Sequence, residues 1–239
     1  MNHSDLSTTL ITKVYKRLFF NQCYVCGFKQ EGCLCSSCTT FLKRNDHCCD
    51  RCASPTLSTL ALCGECQKEP PSFSKAIAPF EYEGLCRALI TQAKFENRPY
   101  LLRPLITQLA DHILQLDQPI PKLWSHVPTA TSSLIERGFC QTEFISQLLL
   151  KHLRHYHPDL KIELITIERI KTNQAQHTLA KRERHKLTHK HFHVPPLPSE
   201  PILLIDDIIT TGSTVNACAK ALTLAGAENV TVWALARTP

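Results

Sequence analysis

An α/β domain with a mostly parallel sheet flanked by helices, headed by a small cysteine-rich metal-binding module, is the fold class this sequence predicts. Three observations predict it. Ten of the thirteen cysteines fall between Cys23 and Cys66, leaving only Cys86, Cys140 and Cys218 outside. Beyond Pro70-Pro71 the composition changes, and segments of strand character alternate with segments of helical spacing. Close to the C-terminus, a strand, a helix and a second strand follow one another as a βαβ unit. These shifts divide the chain into a lead segment over 1–22, the cysteine-rich module over 23–70 and the α/β domain over 71–239.

The elements of the larger domain follow in order. Residues 76–82 have strand character, and 85–93 show helical spacing. A longer amphipathic helix is predicted over 100–116, with Pro104 near its start, where a missing backbone donor is tolerated. A short apolar segment at 123–127 precedes a polar loop and a helix over about 142–156. Residues 161–167 alternate like a strand, and a strongly basic stretch occupies 169–190. After Pro195, Pro196 and Pro198, the four apolar residues 202–205 suit a strand buried in a parallel sheet. Residues 214–225 are helical, Gly226 stands where a helix C-terminus wants it, and 230–236 form the last strand.

Composition bounds the function. A chain of 239 residues with 43% hydrophobic residues can bury a core and carry a small accessory module. No run approaches the roughly 20 apolar residues of a membrane-spanning helix. The first twenty residues lack the order of charges and the cleavage site of a secretory signal. A cytoplasmic protein with no integral membrane segment is expected. The net charge of +6 makes polyanions plausible partners.

The cysteines form four Cys-x-x-Cys pairs: Cys23/Cys26, Cys35/Cys38, Cys49/Cys52 and Cys63/Cys66. A two-residue gap lets a tight turn aim both sulfurs at one ion, and two such knuckles complete a tetrahedral four-cysteine site. Eight ligands accommodate one or two Zn²⁺ ions, paired sequentially or as a cross-brace. The compactness of 23–38 and 49–66 favours sequential pairing. Cys33, His47 and Cys48 stand close enough to substitute for a ligand, and iron–sulfur ligation is the competing metal chemistry. A thioredoxin-like redox role would need a βαβ context that the module lacks. An all-cysteine zinc site is closed and holds shape, so its use is a docking surface for nucleic acid or protein.

The second functional segment runs from Ile202 to Thr214, ILLIDDIITTGST. A sugar 5-phosphate needs backbone N–H groups and hydroxyls converging at a helix N-terminus. Thr210, Thr211, Ser213 and Thr214 offer hydroxyls there, and Gly212 permits close backbone approach. Asp206 and Asp207 at the strand end suit the vicinal hydroxyls of a ribose, or Mg²⁺ bound through water or sugar. Ligands of open parallel sheets bind beyond the carboxyl ends of strands. The alternative of a P-loop nucleotidase requires Gly-x-x-x-x-Gly-Lys-Ser/Thr, and none of the seven glycines precedes a lysine.

These thirteen residues resemble the phosphoribosyl diphosphate signature of type I phosphoribosyltransferases. With the cysteine knuckles, Val127-Pro128 and the run Arg137-Gly138-Phe139-Cys140-Gln141, the chain from Cys23 onward resembles the ComF/GntX family. The resemblance implies a zinc-binding head on a phosphoribosyltransferase-like domain, with competence proteins that handle transforming single-stranded DNA among its members. It further implies that Asp206 and Asp207 hold the ribose hydroxyls and that Thr210, Thr211, Gly212, Ser213 and Thr214 cradle the 5-phosphate. Arg137 is then an anion contact, since a guanidinium grips phosphate oxygens bidentately. Three positions depart from the family pattern. Thr129-Ala130 stand where a second Val-Pro is usual, in a loop that contacts pyrophosphate in phosphoribosyltransferases, and Cys140 stands where asparagine is usual. The stretch from Gln176 to Arg184, with Lys186 and Phe192, resembles the basic lid of type I enzymes. Phe95, Tyr100, Phe139, Phe144 and Phe192 are candidates for stacking on bases. The implied ligands and partners are phosphoribosyl diphosphate with Mg²⁺, single-stranded DNA, and competence or DNA-processing proteins at an inner-membrane channel. A metabolic transferase acting on an unidentified acceptor is the other function the resemblance allows.

Overall fold

The structure, a computed structural model, describes residues 22–30, 32–57, 61–116, 118–130, 134–135, 137–170 and 187–239. The lead segment, apart from its last residue, and the lid-like stretch from Gln176 to Lys186 therefore lie outside the described residues.

The sheet grows from its two longest strands. β7 (Ile202–Ile209) and β8 (Val230–Arg237) are parallel neighbours joined by α6 (Ser213–Leu224). Both strands are apolar on both faces and buried almost throughout, as a parallel strand covered by helices on each side must be. β3 (Leu123–His126) pairs with β7 on the other side, and the two-residue β4 (Glu163–Leu164) extends that edge. On the far edge, β1 (Lys75–Ile77) and β2 (Phe80–Glu81) both pair with β8. The resulting order is β1-β8-β7-β3-β4, and every pairing in this sheet is parallel. The connection from β3 to β4 runs toward one edge and that from β7 to β8 toward the other. The junction of β3 and β7 is thus a topological switch point, where open α/β sheets leave a crevice.

Alternation along the strands builds two cores. Leu203, Ile205, Trp233 and Leu235 face α3 (Gly84–Phe95), α4 (Arg103–Gln115) and α5 (Gln141–Tyr156). The helices answer with stripes at helical spacing, Leu105, Leu109 and Ile113 on α4 and Ile145, Leu149 and Leu153 on α5. Trp124 and Trp233 meet edge-to-face at 5.7 Å on this side. Ile202, Leu204, Val232 and Ala234 face α6, and the second cysteine cluster joins that core with Phe73. Gly226 has φ of +121°, and a Cβ there would run into the Leu197 carbonyl, so the residue after the Ala225 cap of α6 can only be glycine.

Several elements differ from the sequence expectation. The strand expected over 76–82 is two short strands broken at Ala78-Pro79, where the backbone turns to serve the module. Asn45 explains the break: its amide nitrogen donates to Ala53 O (2.8 Å) and Ala78 O (3.0 Å), and its backbone N–H donates to Pro79 O. The helix expected over 100–116 opens as a 3₁₀ turn, Pro99–Leu102, before α4. The strand expected over 161–167 pairs only at Glu163–Leu164. β5 (Glu168–Arg169) instead pairs antiparallel with β6 (Phe192–His193) in a separate ribbon, after a 3₁₀ turn at His189–His191. The apolar run 202–205 continues through the acidic pair to Ile209, because Ile208 and Ile209 also pair with β8. In the module, two short helices, α1 (Ser36–Thr39) and α2 (Gly64–Lys68), each carry the second half of a knuckle. Among the described residues no helix is long and apolar enough to cross a membrane.

Candidate functional site at the carboxyl edge of the sheet

The turn from β7 into α6 is built to leave donors free. Gly212 takes the N-cap position in the left-handed region, φ +76°, with no side-chain cap on the helix. The hypothetical Cβ of this residue would meet only Ile209 Cγ2 at 3.8 Å, so glycine is needed for the backbone angle and not for room. Thr211 Oγ1 and Ser213 Oγ lie 2.9 Å apart, and Thr210, Thr211 and Ser213 are exposed. An uncapped twelve-residue helix presents the positive end of its dipole to whatever binds there.

The acidic pair ends the same strand, and its two members differ. Asp206 is buried, and its Oδ1 accepts the Asp207 N–H at 2.9 Å. Asp207 accepts the Ile208 N–H at 2.7 Å, and its Oδ2 receives Lys94 Nζ at 2.7 Å from the end of α3. Burial above all, then the neighbouring Asp207 charge, pushes the Asp206 carboxyl well above the usual carboxylate range; the Asp207 N–H and Lys94 pull it back only in part. An aspartate in an unfolded chain titrates near about 3.9. The folded state therefore binds the extra proton between that pH and its own raised value, and stability falls as pH rises through this window. Asp206→Asn is expected to stabilise the fold at pH 7.5 by about 0.5–2 kcal/mol, as relief of site strain commonly does. The gain should vanish below about pH 4, where both chains are neutral at this position. Urea melts at the two pH values measure it; a variant no more stable at pH 7.5 would mean that Lys94 compensates the charge in full.

Arg137 lies on the chain leading into α5. Its guanidinium carbon sits 5.5 Å from the centroid of the Phe95 ring, and its Nε is buried with no hydrogen-bond partner among the described residues. Phe95 is 66% exposed, so cation and ring form one amphipathic surface beside Lys94. Cys140 caps α5 at the end of the same loop. Its sulfur lies 3.3 Å from both Thr129 Oγ1 and Thr142 Oγ1, and the Thr142 hydroxyl donates to Val127 O at 2.8 Å. Burial raises the Cys140 thiol, but hydrogen bonding with His126 and with the neighbouring Thr129 and Thr142 side chains outweighs it and brings it to about 6.

Arg237, the last residue of β8, lies beneath the turn from β7 into α6. Its Nη1 donates to Ile209 O (3.1 Å), Thr210 O and Thr238 O (3.2 Å), and its Nε to Cys52 O (3.2 Å). One buried guanidinium thus joins the loop to the second cysteine cluster. A cavity of about 400 Å³ opens along this junction, lined by Cys66, Phe73, Thr211, Ser213, Asn216 and Arg237 among others.

The eight knuckle cysteines converge as two sequential groups, Cys23/Cys26/Cys35/Cys38 and Cys49/Cys52/Cys63/Cys66. Cys26 Sγ and Cys35 Sγ are 3.7 Å apart, as are Cys52 Sγ and Cys63 Sγ. Four sulfurs at about 2.3 Å from a tetrahedral zinc stand about 3.8 Å apart, so the groups have the right size for that ion. Backbone N–H groups of Cys38 and Cys63 point at the sulfurs of Cys35 and Cys49, at 3.4 and 3.3 Å, as thiolate ligands require. Cys33 is not in either group: it packs in the main core with its thiol toward Tyr100 O. Cys48 and His47 also lie outside both groups.

No protein-family model matches the chain. Competence protein F of Haemophilus influenzae is 30% identical to it over 214 residues, spanning 85% of this chain and 90% of that one. The chain belongs to the ComF family. DNA utilization protein YhgH of Escherichia coli K12 is 29% identical over 210 residues, 86% of this chain and 90% of that protein. Among solved structures, a hypoxanthine-guanine phosphoribosyltransferase of Bacillus anthracis aligns over 58% of this chain and 69% of its own at 12% identity, with a TM-score of 0.38.

In this ComF chain, Asp206, Asp207 and the loop from Thr210 to Thr214 come together at the β3/β7 switch point. The polar groups that sequence patterns did not single out are Lys94, Arg237, His126 and Glu143. Lys94 and Arg237 end an ordinary helix and an ordinary strand, and only the packing of α3 and β8 against β7 gives them a role. His126 and Glu143 carry no motif, but both flank the loop on which Arg137 and Cys140 were already noted.

Proposed function

We propose that this ComF-family protein binds a 5-phosphoribosyl donor, phosphoribosyl diphosphate or a related ribose phosphate, at the β3/β7 switch point, and that it serves in uptake and handling of single-stranded transforming DNA. The observation that carries the first half is the uninterrupted run from the Asp206-Asp207 strand end into the Gly212-capped, solvent-open N-terminus of α6. Loop N–H groups and the Thr210, Thr211, Ser213 and Thr214 hydroxyls would take the 5-phosphate. Asp207, with Asp206 behind it, would accept the ribose hydroxyls. These all-oxygen donors suit Mg²⁺, which would offset the charge of the diphosphate. Lys94 pairs with Asp207 and Arg137 lies over Phe95, the residue after Lys94, so the two would supply positive charge toward a leaving diphosphate. Transfer of the phosphoribosyl group to an acceptor base is the activity such a site would have in a metabolic enzyme.

The printed names of the relatives, competence and DNA utilization, support the second half. The exposed Phe95 beside Arg137 is the pairing of ring and cation that single-stranded nucleic acid favours. The two cysteine clusters would hold structural zinc, and the working place would be the cytoplasm, peripherally at the inner-membrane uptake channel.

Calorimetry with phosphoribosyl diphosphate and Mg²⁺ tests the site. The intact chain is expected to bind, and the Asp206→Ala/Asp207→Ala double variant to bind about 100-fold or more weakly, the scale of losing two charged hydrogen-bonding partners. Absence of binding by the intact chain would overturn the ribose-phosphate reading. In the same preparation, affinity for a single-stranded oligonucleotide should drop steeply between low and moderate salt; no binding at low salt would overturn the DNA reading alone.

A further inference from the structure

We propose that His126, Cys140 and Glu143 form a third metal site, separate from the cysteine clusters, for one borderline-soft divalent ion of the Zn²⁺ class. The three residues come from two elements that meet at the base of one loop. His126 ends β3, Cys140 is the N-cap of α5, and Glu143 lies in the first turn of α5. One ligand atom from each lies within 4.8 Å of the other two. The bond from Thr142 Oγ1 to Val127 O, 2.8 Å and buried, fixes the start of α5 against the end of β3, so this convergence does not depend on exposed side chains alone.

The donor set selects the ion. An imidazole nitrogen, a thiolate and a carboxylate suit zinc and its neighbours, whereas Mg²⁺ and Ca²⁺ take oxygen ligands. Three protein ligands leave a fourth position for an exchangeable water. Bond lengths of about 2.0–2.3 Å require the donor atoms to stand roughly 3.3–3.8 Å apart. Glu143 is exposed, and rotation of its side chain brings the carboxylate the remaining distance.

Charge points the same way. A carboxylate and a sulfur are held together here, yet among the described residues Glu143 has no ion pair; its Oε1 accepts only from Gln147 Nε2 at 3.1 Å. The nearest basic residue along the chain, Arg137, places its guanidinium over Phe95. A bound cation would pair with both groups. The surrounding hydroxyls also fit a thiolate ligand. The Thr142 proton is committed to Val127 O, which leaves Thr129 Oγ1, 3.3 Å from the sulfur, as the donor to it.

Such an ion would clip the end of β3 to the start of α5, three residues from Arg137. β3 is the immediate neighbour of β7, with His126 opposite Ile205, so the clip would stand one strand from Asp206. The inference does not rest on phosphoribosyl diphosphate binding.

Zinc retention by the full-length chain tests it. The intact protein, Cys140→Ser and Glu143→Gln are stripped with a mild chelator, reloaded with Zn²⁺, desalted and assayed for zinc per chain. All three keep the eight knuckle cysteines, so filling of those clusters raises every total alike and cancels in the difference. Cys140→Ser is expected to retain one zinc fewer than the intact chain. Glu143→Gln, an exposed change that leaves the helix intact, should weaken the most loosely held zinc at least tenfold in a competition titration. Equal zinc counts in the intact chain and Cys140→Ser, or an unchanged affinity in Glu143→Gln, would overturn the proposal, as would a third zinc held only at millimolar metal.

Discussion

Cys66→Ser is expected to lower the thermal midpoint by about 10 °C or more and to weaken phosphoribosyl diphosphate binding in the same protein, although residue 66 lies outside the phosphate loop. The two effects share a cause. Cys66 is buried in the core that also holds Phe73, Val215 and Leu222, so the second cluster is continuous with the α6 side of the sheet. If the second cluster holds the proposed zinc, loss of a ligand opens a site whose binding energy is folding energy. A loss of only 3–5 kcal/mol, a fraction of what such ions supply, shifts the midpoint of a chain this size by that amount. The cluster also holds the Cys52 carbonyl in place for Arg237, whose other donors grip the phosphate loop.

The first cluster provides the control. Cys23, Cys35 and Cys38 form a small core of their own with Leu34, remote from the loop. Cys38→Ser should therefore disturb the head locally and leave ligand affinity within about twofold of the intact chain. Calorimetry and thermal melts on the two variants decide the matter. Equal loss of binding in both would show that the module acts as one unit, and unchanged binding in Cys66→Ser would remove the proposed coupling. Asn45 and Arg44, which tie the module to β1 and β2, stabilise the junction without reaching the site.

How much of this was legible beforehand follows from how local each feature is. The knuckles were visible because two cysteines in one tight turn need no distant partner, and their grouping in order follows from the short chain between them. β7, the loop and α6 were visible because strand, turn and helix are consecutive, and the ligand chemistry sits on that single run. The edge of the sheet was less legible. Residues 161–167 alternate like a strand, but only Glu163–Leu164 finds a partner, since β3 is itself four residues long. The break in 76–82 depends on Asn45, 33 residues before Ala78, whose side chain claims the Ala78 carbonyl. The difference between Asp206 and Asp207 was also hidden: adjacent and chemically identical, they are separated only by burial and by Lys94.

Arg237→Met is expected to reduce affinity for phosphoribosyl diphosphate about 10- to 100-fold and to cost about 3 kcal/mol of stability, because the guanidinium serves both ends of the junction. Methionine keeps the bulk of the buried stem but removes every donor to Cys52 O, Ile209 O, Thr210 O and Thr238 O. Ile209 O keeps the Thr238 N–H and Thr210 is exposed, so the penalty of about 1–3 kcal/mol for an unpaired buried acceptor falls chiefly on Cys52 O, and the lost charge-assisted bonds make up the rest. The affinity effect has a second source. Arg237 is buried and, among the described residues, pairs with carbonyls alone, so no carboxylate cancels its charge beneath the loop. A unit charge about 8 Å from a phosphate at an effective dielectric near 20 contributes about 2 kcal/mol, some thirtyfold in binding. Arg237→Lys separates the two sources, since it keeps the charge and loses the fork of donors: it should recover most of the affinity and little of the stability. Combining Arg237→Met with Cys66→Ser closes a double-mutant cycle. If Arg237 is the connection between the cluster and the loop, Cys66→Ser should weaken binding hardly at all once Arg237 is gone. Full additivity of the two losses would mean that the cluster reaches the loop by another route, through Phe73 and α6.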